Sequence, residues 1–308
     1  MAYTGASTPS VGTTSSGTLS RDIYLDTLQH FTRNLVFVPY LYTQTIEGGT
    51  GGQFIIEGKE DAADGNLAAY TAGTQVTVTA GSQDQRIINL DRPQYEARRI
   101  DRFDEAVAKY DVIAMQIRQM SANLAAKVDR KAAAAIEASS LATGLAGNGN
   151  GTVVVNTKLP GGVAAVVGAQ LLGDQIAESI FAAVAAIRGS DDMGDVYVTL
   201  NPTNYSYLVQ STRATYAEYT DGINGGYNTG KVMQVGGATV LQTNQNPSTA
   251  GLIALAFTSQ AAGIVKLWDI QTKITEQADF LDAKLVTASY ANGMGTLRSN
   301  SAVSIKNV

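Results

Sequence analysis

A single long helix constrains this chain more than any other feature of its sequence. Apolar residues recur at three- and four-residue steps from about Asp104 to Ala138, which is the spacing of one helix face. Asp104 and Glu105 stand at its start, where the helix dipole favours negative charge. About 35 residues rising 1.5 Å each make a rod of roughly 52 Å, several times the length of an average helix. The pattern predicts an elongated strut. A coiled coil is the alternative, although only one such segment occurs.

A long hairpin precedes the helix, between Glu47 and Ser82. Gln53–Glu57 and Gln75–Thr79 have the composition of strands, and Arg86–Leu90 continues the return leg. The segment carries few large apolar side chains, and an isolated two-stranded hairpin is marginal in water. The rest of the chain offers no obvious surface for it. We therefore expect the hairpin to lie on a neighbouring copy.

The first twenty residues and the part of the chain after Leu141 differ in composition from the hairpin and the helix. The first twenty residues are mostly Ser, Thr and Gly and carry no charge, which predicts an arm that orders only on a partner. A composition break follows Leu141, and we expect a second domain to begin there. Helices and strands then alternate, which indicates a mixed α/β layer structure. The predicted elements are Thr152–Val155, Asp195–Leu200, Ala238–Gln242 and Leu252–Phe257 as strands and Asp174–Ile187 as a helix.

The C-terminal part predicts antiparallel strands that return to close a sheet. Gly293 and Gly295 are interpreted as the last turn. Earlier, Asn201 is a plausible N-cap with Pro202 at the first helical position. The predicted terminal strands are Gly263–Ile270, Lys273–Gln277, Lys284–Ala291 and Ser301–Val308.

Composition excludes several classes of function. The chain has no cysteine, so disulfide frameworks, thiolate zinc sites and cysteine nucleophiles are ruled out. Charged residues make up 16% and the net charge is −5, which is not the footprint of a nucleic-acid reader. The arginines between 86 and 102 alternate with acidic residues and predict a mixed-charge contact surface. No apolar run is long enough for a membrane span, so no membrane partner is expected.

Three apparent sites have a simpler explanation. Gly225–Val232 matches the spacing of a phosphate-binding loop, but Val232 stands where that motif needs Ser or Thr to hold magnesium. Asp191, Asp192 and Asp195 lack the spacing of a calcium loop and are interpreted as a solvated turn. His30 is the only histidine and is interpreted as an ordinary contact residue. We expect no catalytic, cofactor-binding or metal-binding residues, and no enzyme activity.

The order of the parts resembles the Hong Kong 97-type major capsid proteins of tailed bacteriophages, most closely those of short-tailed phages and their cyanobacterial relatives. That fold has an N-arm, an extended loop, a peripheral domain with a spine helix, and an axial domain. The resemblance spans nearly the whole chain. The segments that carry it are Gly52–Lys59, Lys109–Val112, Val196–Asn204, Gly263–Asp269, Gln277–Phe280 and Ala288–Arg298.

The resemblance implies an α+β capsid fold with a definite division of the chain. It implies an N-terminal arm at 1–45, an extended hairpin loop at 46–85 and a peripheral domain with the spine helix at 86–143. A mixed α/β axial domain follows at 144–270, and strands at 271–308 return to the peripheral domain. Phe54, Ile56 and Lys59 are expected to make inter-subunit contacts through the loop. Charged contacts between subunits are expected from Arg98, Arg99, Arg102 and Asp104.

The resemblance also implies what the chain does. It predicts a major capsid protein that assembles into hexamers and pentamers of an icosahedral head enclosing double-stranded DNA. The implied partners are other copies, portal and scaffolding proteins and a decoration protein, with assembly in the host cytoplasm and the mature protein in the virion. One alternative is an encapsulin-like compartment of the same fold that binds cargo enzymes. Another, of a different class, is a nucleotide-dependent enzyme using the glycine loop at Gly225.

Overall fold

The structure is a computed structural model that describes residues 35–46, 53–58, 84–101, 112–141, 152–155, 169–190, 192–211, 234–277 and 283–307. These residues form three helices and three sheets. The helices are α1 Val112–Leu141, α2 Ala169–Gly189 and α3 Pro202–Val209, with 3₁₀ turns at Val38–Tyr40 and Ser299–Ser301. The strands are β1 Tyr42–Thr45, β2 Gln53–Gly58, β3 Asp84–Asn89, β4 Gln94–Ile100, β5 Thr152–Val155, β6 Val196–Leu200, β7 Gln234–Val235, β8 Ala238–Gln242, β9 Leu252–Phe257, β10 Ala262–Gln277, β11 Ala283–Thr296 and β12 Ala302–Asn307.

Helix α1 is the predicted strut. It ends at Leu141 rather than Ala138, and the predicted start at Asp104 lies outside the described residues. The predicted apolar face is confirmed over 117–136, where its members are buried in the larger hydrophobic core, and Ile113 is partly buried against that core. Each large apolar side chain buried in this way contributes about 1.5–3 kcal/mol. The buried face comprises Ile117, Met120, Leu124, Val128, Ala132 and Ile136.

A four-stranded sheet packs against this face of α1, in the order β1-β10-β11-β4. β10 and β11 form one long antiparallel pair, with β1 parallel to β10 and β4 antiparallel to β11. Two predictions are wrong here. The chain from 262 to 277 is one strand with register shifts between Lys266 and Gln271, not two strands. Gly293 and Gly295 do not form a turn; they lie within β11 opposite Val265 and Gly263.

The second sheet has six strands, in the order β5-β12-β9-β6-β8-β7. We call the four-stranded sheet with α1 and the six-stranded sheet with its helices the two layer systems. Helices α2 and α3 pack on the six-stranded sheet through a second core, which includes Ile176, Ile180 and Ile187 of α2. The predicted strands at 152–155, 238–242 and 252–257 are confirmed, and the strand predicted at 195–200 begins one residue later, at Val196. Parallel and antiparallel pairs are mixed within the sheet.

The last strand lies in a different sheet from the one predicted. β12 pairs antiparallel with β9 and parallel with β5 in the six-stranded sheet. The prediction that all of 271–308 returns to the peripheral part is therefore wrong for β12. Only the end of β10 and all of β11 pair within the four-stranded sheet. Apolar alternation in a strand shows that it is half-buried but does not show which sheet it joins.

The segment before β1 packs between the two layer systems. The ring of Phe37 lies 5.9 Å from that of Phe257 in β9, and Tyr40 stacks on Tyr197 of β6 with ring centroids 4.4 Å apart. Phe37 is fully buried. Helices and sheets thus pack around two adjoining cores, which confirms the α+β class expected from the sequence.

Candidate assembly surfaces

The root of the hairpin rests on the four-stranded sheet of its own chain. β2 and β3 pair antiparallel, with Gln53 opposite Asn89 and Gly58 opposite Asp84, and form a separate two-stranded sheet. Ile88 of β3 is 1% exposed and packs against Ile46 and Val265. The expectation that the chain offers no surface for the hairpin is wrong at this point, because β10 and β11 supply one.

Neighbouring residues of the return strand differ in exposure. Ile87, the neighbour of Ile88, is 54% exposed. Phe54 and Ile56 lie in β2, opposite Ile88 and Arg86 in the ladder. Lys59 and the second predicted strand at Gln75–Thr79 lie outside the described residues. The hairpin therefore leaves the subunit from a fixed root.

A charged surface follows β4, the edge strand of the four-stranded sheet. The guanidinium of Arg98 donates to Glu96 Oε1 at 2.7 Å and 2.9 Å, to Gln119 Oε1 at 2.8 Å and to Gln116. These bonds tie Arg98 to α1 of its own chain. Arg99, at the next position, is about half-exposed and lies 3.8 Å from Asp101. Because successive strand residues point to opposite faces, the two arginines serve different surfaces.

The outer edge of β4 also carries an aromatic residue that the sequence did not single out. Tyr95 is 73% exposed, and β4 has a strand partner on one side only among the described residues. Large exposed aromatic residues are enriched where proteins contact one another. Arg102 and Asp104, the other predicted members of this surface, lie outside the described residues.

A buried carboxylate in the middle of α1 holds the chain that leads out of the N-terminal arm. Asp129 is fully buried and accepts hydrogen bonds from the backbone N–H groups of Val36 at 2.7 Å and Phe37 at 3.2 Å. Burial raises the pKa of Asp129 to about 6, although these bonds and one from Val38 act to lower it. Sequence patterns gave no sign of this role, because its partners are more than ninety residues away along the chain.

A second buried carboxylate joins the two layer systems. Asp192 accepts hydrogen bonds from Thr258 Oγ1 at 2.6 Å, Ser301 Oγ at 2.5 Å and the Gly194 N–H at 3.1 Å. Burial acts to raise the pKa of Asp192, but these bonds and Arg298 outweigh it and lower the pKa. The interpretation of this segment as a solvated turn is wrong for Asp192, which is 3% exposed.

The structure gives no support for the other catalytic or ligand-binding sites that the sequence suggested. The glycine loop Gly225–Val232, His30 and Asp191 lie outside the described residues. Within the described part of the chain, no group of three or more His, Cys, Asp or Glu side chains is arranged to hold a metal ion. No helix among the described residues is both long and apolar enough to span a membrane.

Comparison with known proteins decides what these surfaces belong to. The sequence model of a family described as phage capsid protein matches residues 94–298, which is more than half of the chain. The chain belongs to the phage capsid protein family. It is a structural protein of the virion, a major capsid protein that forms the shell of the phage head together with other copies.

Solved capsids have the same fold as this capsid protein. The capsid of the cyanophage P-SCSP1u is 26% identical, with a TM-score of 0.71 over 89% of this chain and 88% of that one. The mature capsid of bacteriophage PhiM1 is 13% identical, with a TM-score of 0.69 over 89% and 87%. A virus-like particle from Pyrococcus furiosus is 11% identical, with a TM-score of 0.55 over 94% and 99%. No curated protein sequence matches the chain.

The family match bears on the alternatives drawn from the sequence. One solved structure with this fold is a virus-like particle, so the fold by itself does not identify a phage head. The phage capsid family match favours the phage head. It also favours a structural role over a nucleotide-dependent enzyme.

Proposed function

We propose that this capsid protein forms hexamers and pentamers of an icosahedral head that encloses double-stranded DNA. The observation that carries the proposal is the hairpin, a two-stranded sheet anchored at its root and without further strand partners among the described residues. Two strands alone are marginal in water. A neighbouring subunit supplies both apolar area and partners for the open strand edges. Similarity to the cyanophage capsid over most of the chain supports this arrangement.

Contacts through the hairpin are the first part of the proposal. Phe54 and Ile56 lie in β2, and Ile87 on the return strand is exposed in the subunit. An exposed isoleucine on a projecting strand loses unfavourable contact with water when a neighbour covers it. We place Phe54, Ile56 and Lys59 at this contact, with Lys59 as a polar member beyond the end of β2.

The edge of β4 is the second proposed contact. Tyr95 and Arg99 project from an edge strand, and an exposed edge is a template for pairing with another chain. Arg102 and Asp104 follow in the sequence and extend the same mixed-charge surface. Arg98 supports the contact indirectly, because its bonds to Glu96, Gln116 and Gln119 hold β4 against α1.

The division of the chain into parts follows from the same assignment. The proposed parts are an arm at 1–45, the hairpin loop at 46–85, a peripheral domain at 86–143, an axial domain at 144–270 and returning strands at 271–308. We propose that β12 is an exception among the returning strands and belongs with the axial domain, because it pairs with β9 in the six-stranded sheet. Asp129 and Asp192 support this proposal, since one anchors the arm to α1 and the other joins the two layer systems.

Partners other than further copies are inferred from the proposed role. A portal and a scaffolding protein would fix where the shell closes, and a decoration protein would bind its outer surface. Contact with DNA would be non-specific, because the sequence lacks the concentrated basic surface of a nucleic-acid reader. Assembly would take place in the host cytoplasm, and no catalytic activity or cofactor is proposed.

Electron microscopy of the purified chain tests the proposal. We expect closed shells or ring-shaped capsomers of six and five subunits, and particles from infected cells should contain double-stranded DNA. A monomer of 32.3 kDa under all assembly conditions would contradict it. Particles filled with a cargo enzyme and free of DNA would instead support the compartment.

A further inference from the structure

We propose that Gly263, Gly293 and Gly295 form a seat that fixes the root of the hairpin and thereby sets the direction in which the loop leaves the subunit. The inference deepens the proposed function, since the direction of the loop matters only if the loop contacts a neighbour. It rests on the close approach of β3 to β10 and β11.

The three glycines lie side by side on the two longest strands. Gly263 of β10 stands opposite Gly295 of β11, and Gly293 lies two positions further along β11, opposite Val265. Residues two apart on a strand share a face, so these glycines together leave one flat patch on the sheet. None of them has a backbone angle in the left-handed region. Their requirement is therefore for space and not for backbone freedom.

The root of the hairpin fills the space above this patch. A Cβ atom at Gly293 would lie 2.2 Å from the carbonyl oxygen of Asn89, and one at Gly295 would lie 2.9 Å from Cγ1 of Ile88. At Gly263 the nearest atoms, of Ile88 and Leu297, would be 3.0 Å away. The backbone of β3 and the side chain of Ile88 thus approach the sheet more closely than any side chain permits.

The bonds around the seat make it a fixed support. Ile88 is buried with Ile46 and Val265, and the N–H of Asp91 donates to the carbonyl of Asn292 at 3.3 Å. The hairpin is thereby held on the sheet immediately before β4 begins. Because β2 is paired with β3 along six residues of each strand, a tilt of β3 carries β2 with it. A small shift at the root becomes a larger displacement at the far end.

Single alanine substitutions test the seat, with a matched control on the same chain. Gly293→Ala and Gly295→Ala should displace the root, whereas Gly189→Ala should not, because no atom lies within 4 Å of its added Cβ. The chain has no cysteine, so spin labels can be attached at Glu57→Cys in β2 and Lys127→Cys in α1. The distance between the labels in the unassembled subunit reports the direction of the hairpin.

The expected result is a shifted or broadened distance distribution in Gly293→Ala and Gly295→Ala and an unchanged one in Gly189→Ala. A double variant distinguishes the seat from general damage. Shortening Ile88 to Ala removes the atom nearest to the Gly295 Cβ, so Gly295→Ala should cause no further change when it is added to Ile88→Ala. Gly293→Ala should still cause a further change in the same background, because its Cβ meets backbone atoms of Asn89.

Two results would overturn the inference in different ways. Unchanged label distances in both alanine variants would show that the glycines do not position the hairpin. Changed distances together with a normal yield of closed shells would show that the direction of the loop does not matter for assembly. The second result would also count against docking of the hairpin on a neighbour, whereas the first would leave that proposal standing.

Discussion

Helix α1 and the hairpin β2–β3 differ in how much of their stability the subunit itself supplies. The helix buries a continuous apolar face, and its central residues are inaccessible to solvent. Among the hairpin residues whose burial the structure describes, Ile88 at the root is buried while Ile87 beside it is exposed. Ordering a residue costs about 1–2 kcal/mol of backbone entropy, which a buried face offsets and one isoleucine does not. The helix therefore serves the fold of the subunit, and the hairpin serves the shell.

The comparison predicts the largest loss of subunit stability in α1. Leu124→Ala should lower the free energy of unfolding by about 2–5 kcal/mol, because it leaves a cavity in the larger core. Leu141→Ala is the matched control at the exposed end of the same helix and should change stability by less than about 0.5 kcal/mol. Urea denaturation of unassembled subunits measures both. Equal losses in the two variants would remove the distinction between the buried face and the rest of α1.

The next effect concerns the pH dependence of the arm's attachment. The pKa of Asp129 in the folded chain is about 6, above its ordinary value of 3.8. Between these values the folded state binds more protons, so stability is fully present below 3.8 and decreases as pH rises through about 6. A difference of about two units corresponds to roughly 3 kcal/mol. The free energy of unfolding of Asp129→Asn should lack this decrease.

Asp192 provides the control for that measurement, because its pKa is shifted the other way. A lowered pKa gives stability that is present above the ordinary value and lost as pH falls below it. Asp192→Asn should therefore change the acid limb of the stability curve and lower stability above it, while the decrease in stability between pH 3.8 and 6 that Asp129 causes should remain. If Asp129→Asn and the unsubstituted chain showed the same decrease in unfolding free energy between pH 3.8 and 6, Asp129 would not be the group responsible.

The last prediction is that no change in covalent mass accompanies assembly, because no covalent bond forms between subunits. Some capsids of this fold join a lysine of the extended loop to an asparagine of a neighbour. Lys59 is the only lysine in the hairpin, and the resemblance to short-tailed phages predicts noncovalent contacts alone. Boiled particles on a denaturing gel should give one band at 32.3 kDa. A ladder of multiples, lost in Lys59→Arg, would show that the hairpin is held by chemistry as well as by packing.

The same two regions show what the sequence reveals and what it leaves hidden. The face of α1 follows from helical periodicity, which depends only on neighbouring residues. The role of Gly293 and Gly295 does not, because glycine marks a turn and a close approach equally well, and only β3 above them shows which applies. Asp192 is similar, since Thr258 and Ser301 lie 66 and 109 residues away. Asn201 precedes α3 as predicted, but its side chain makes no capping bond.

The most direct test of the account is to remove the apolar side chains of the hairpin and measure folding and assembly separately. In Ile55→Ser with Ile87→Ser, two residues that lie opposite each other in the ladder and of which Ile87 is 54% exposed, the thermal unfolding of subunits should stay nearly unchanged while closed shells are lost or greatly reduced. Met193→Ser, which alters a residue that is 77% exposed elsewhere, is the control and should assemble normally. If the double variant instead destabilises the subunit yet still assembles once folded, the hairpin belongs to the core and the account is wrong.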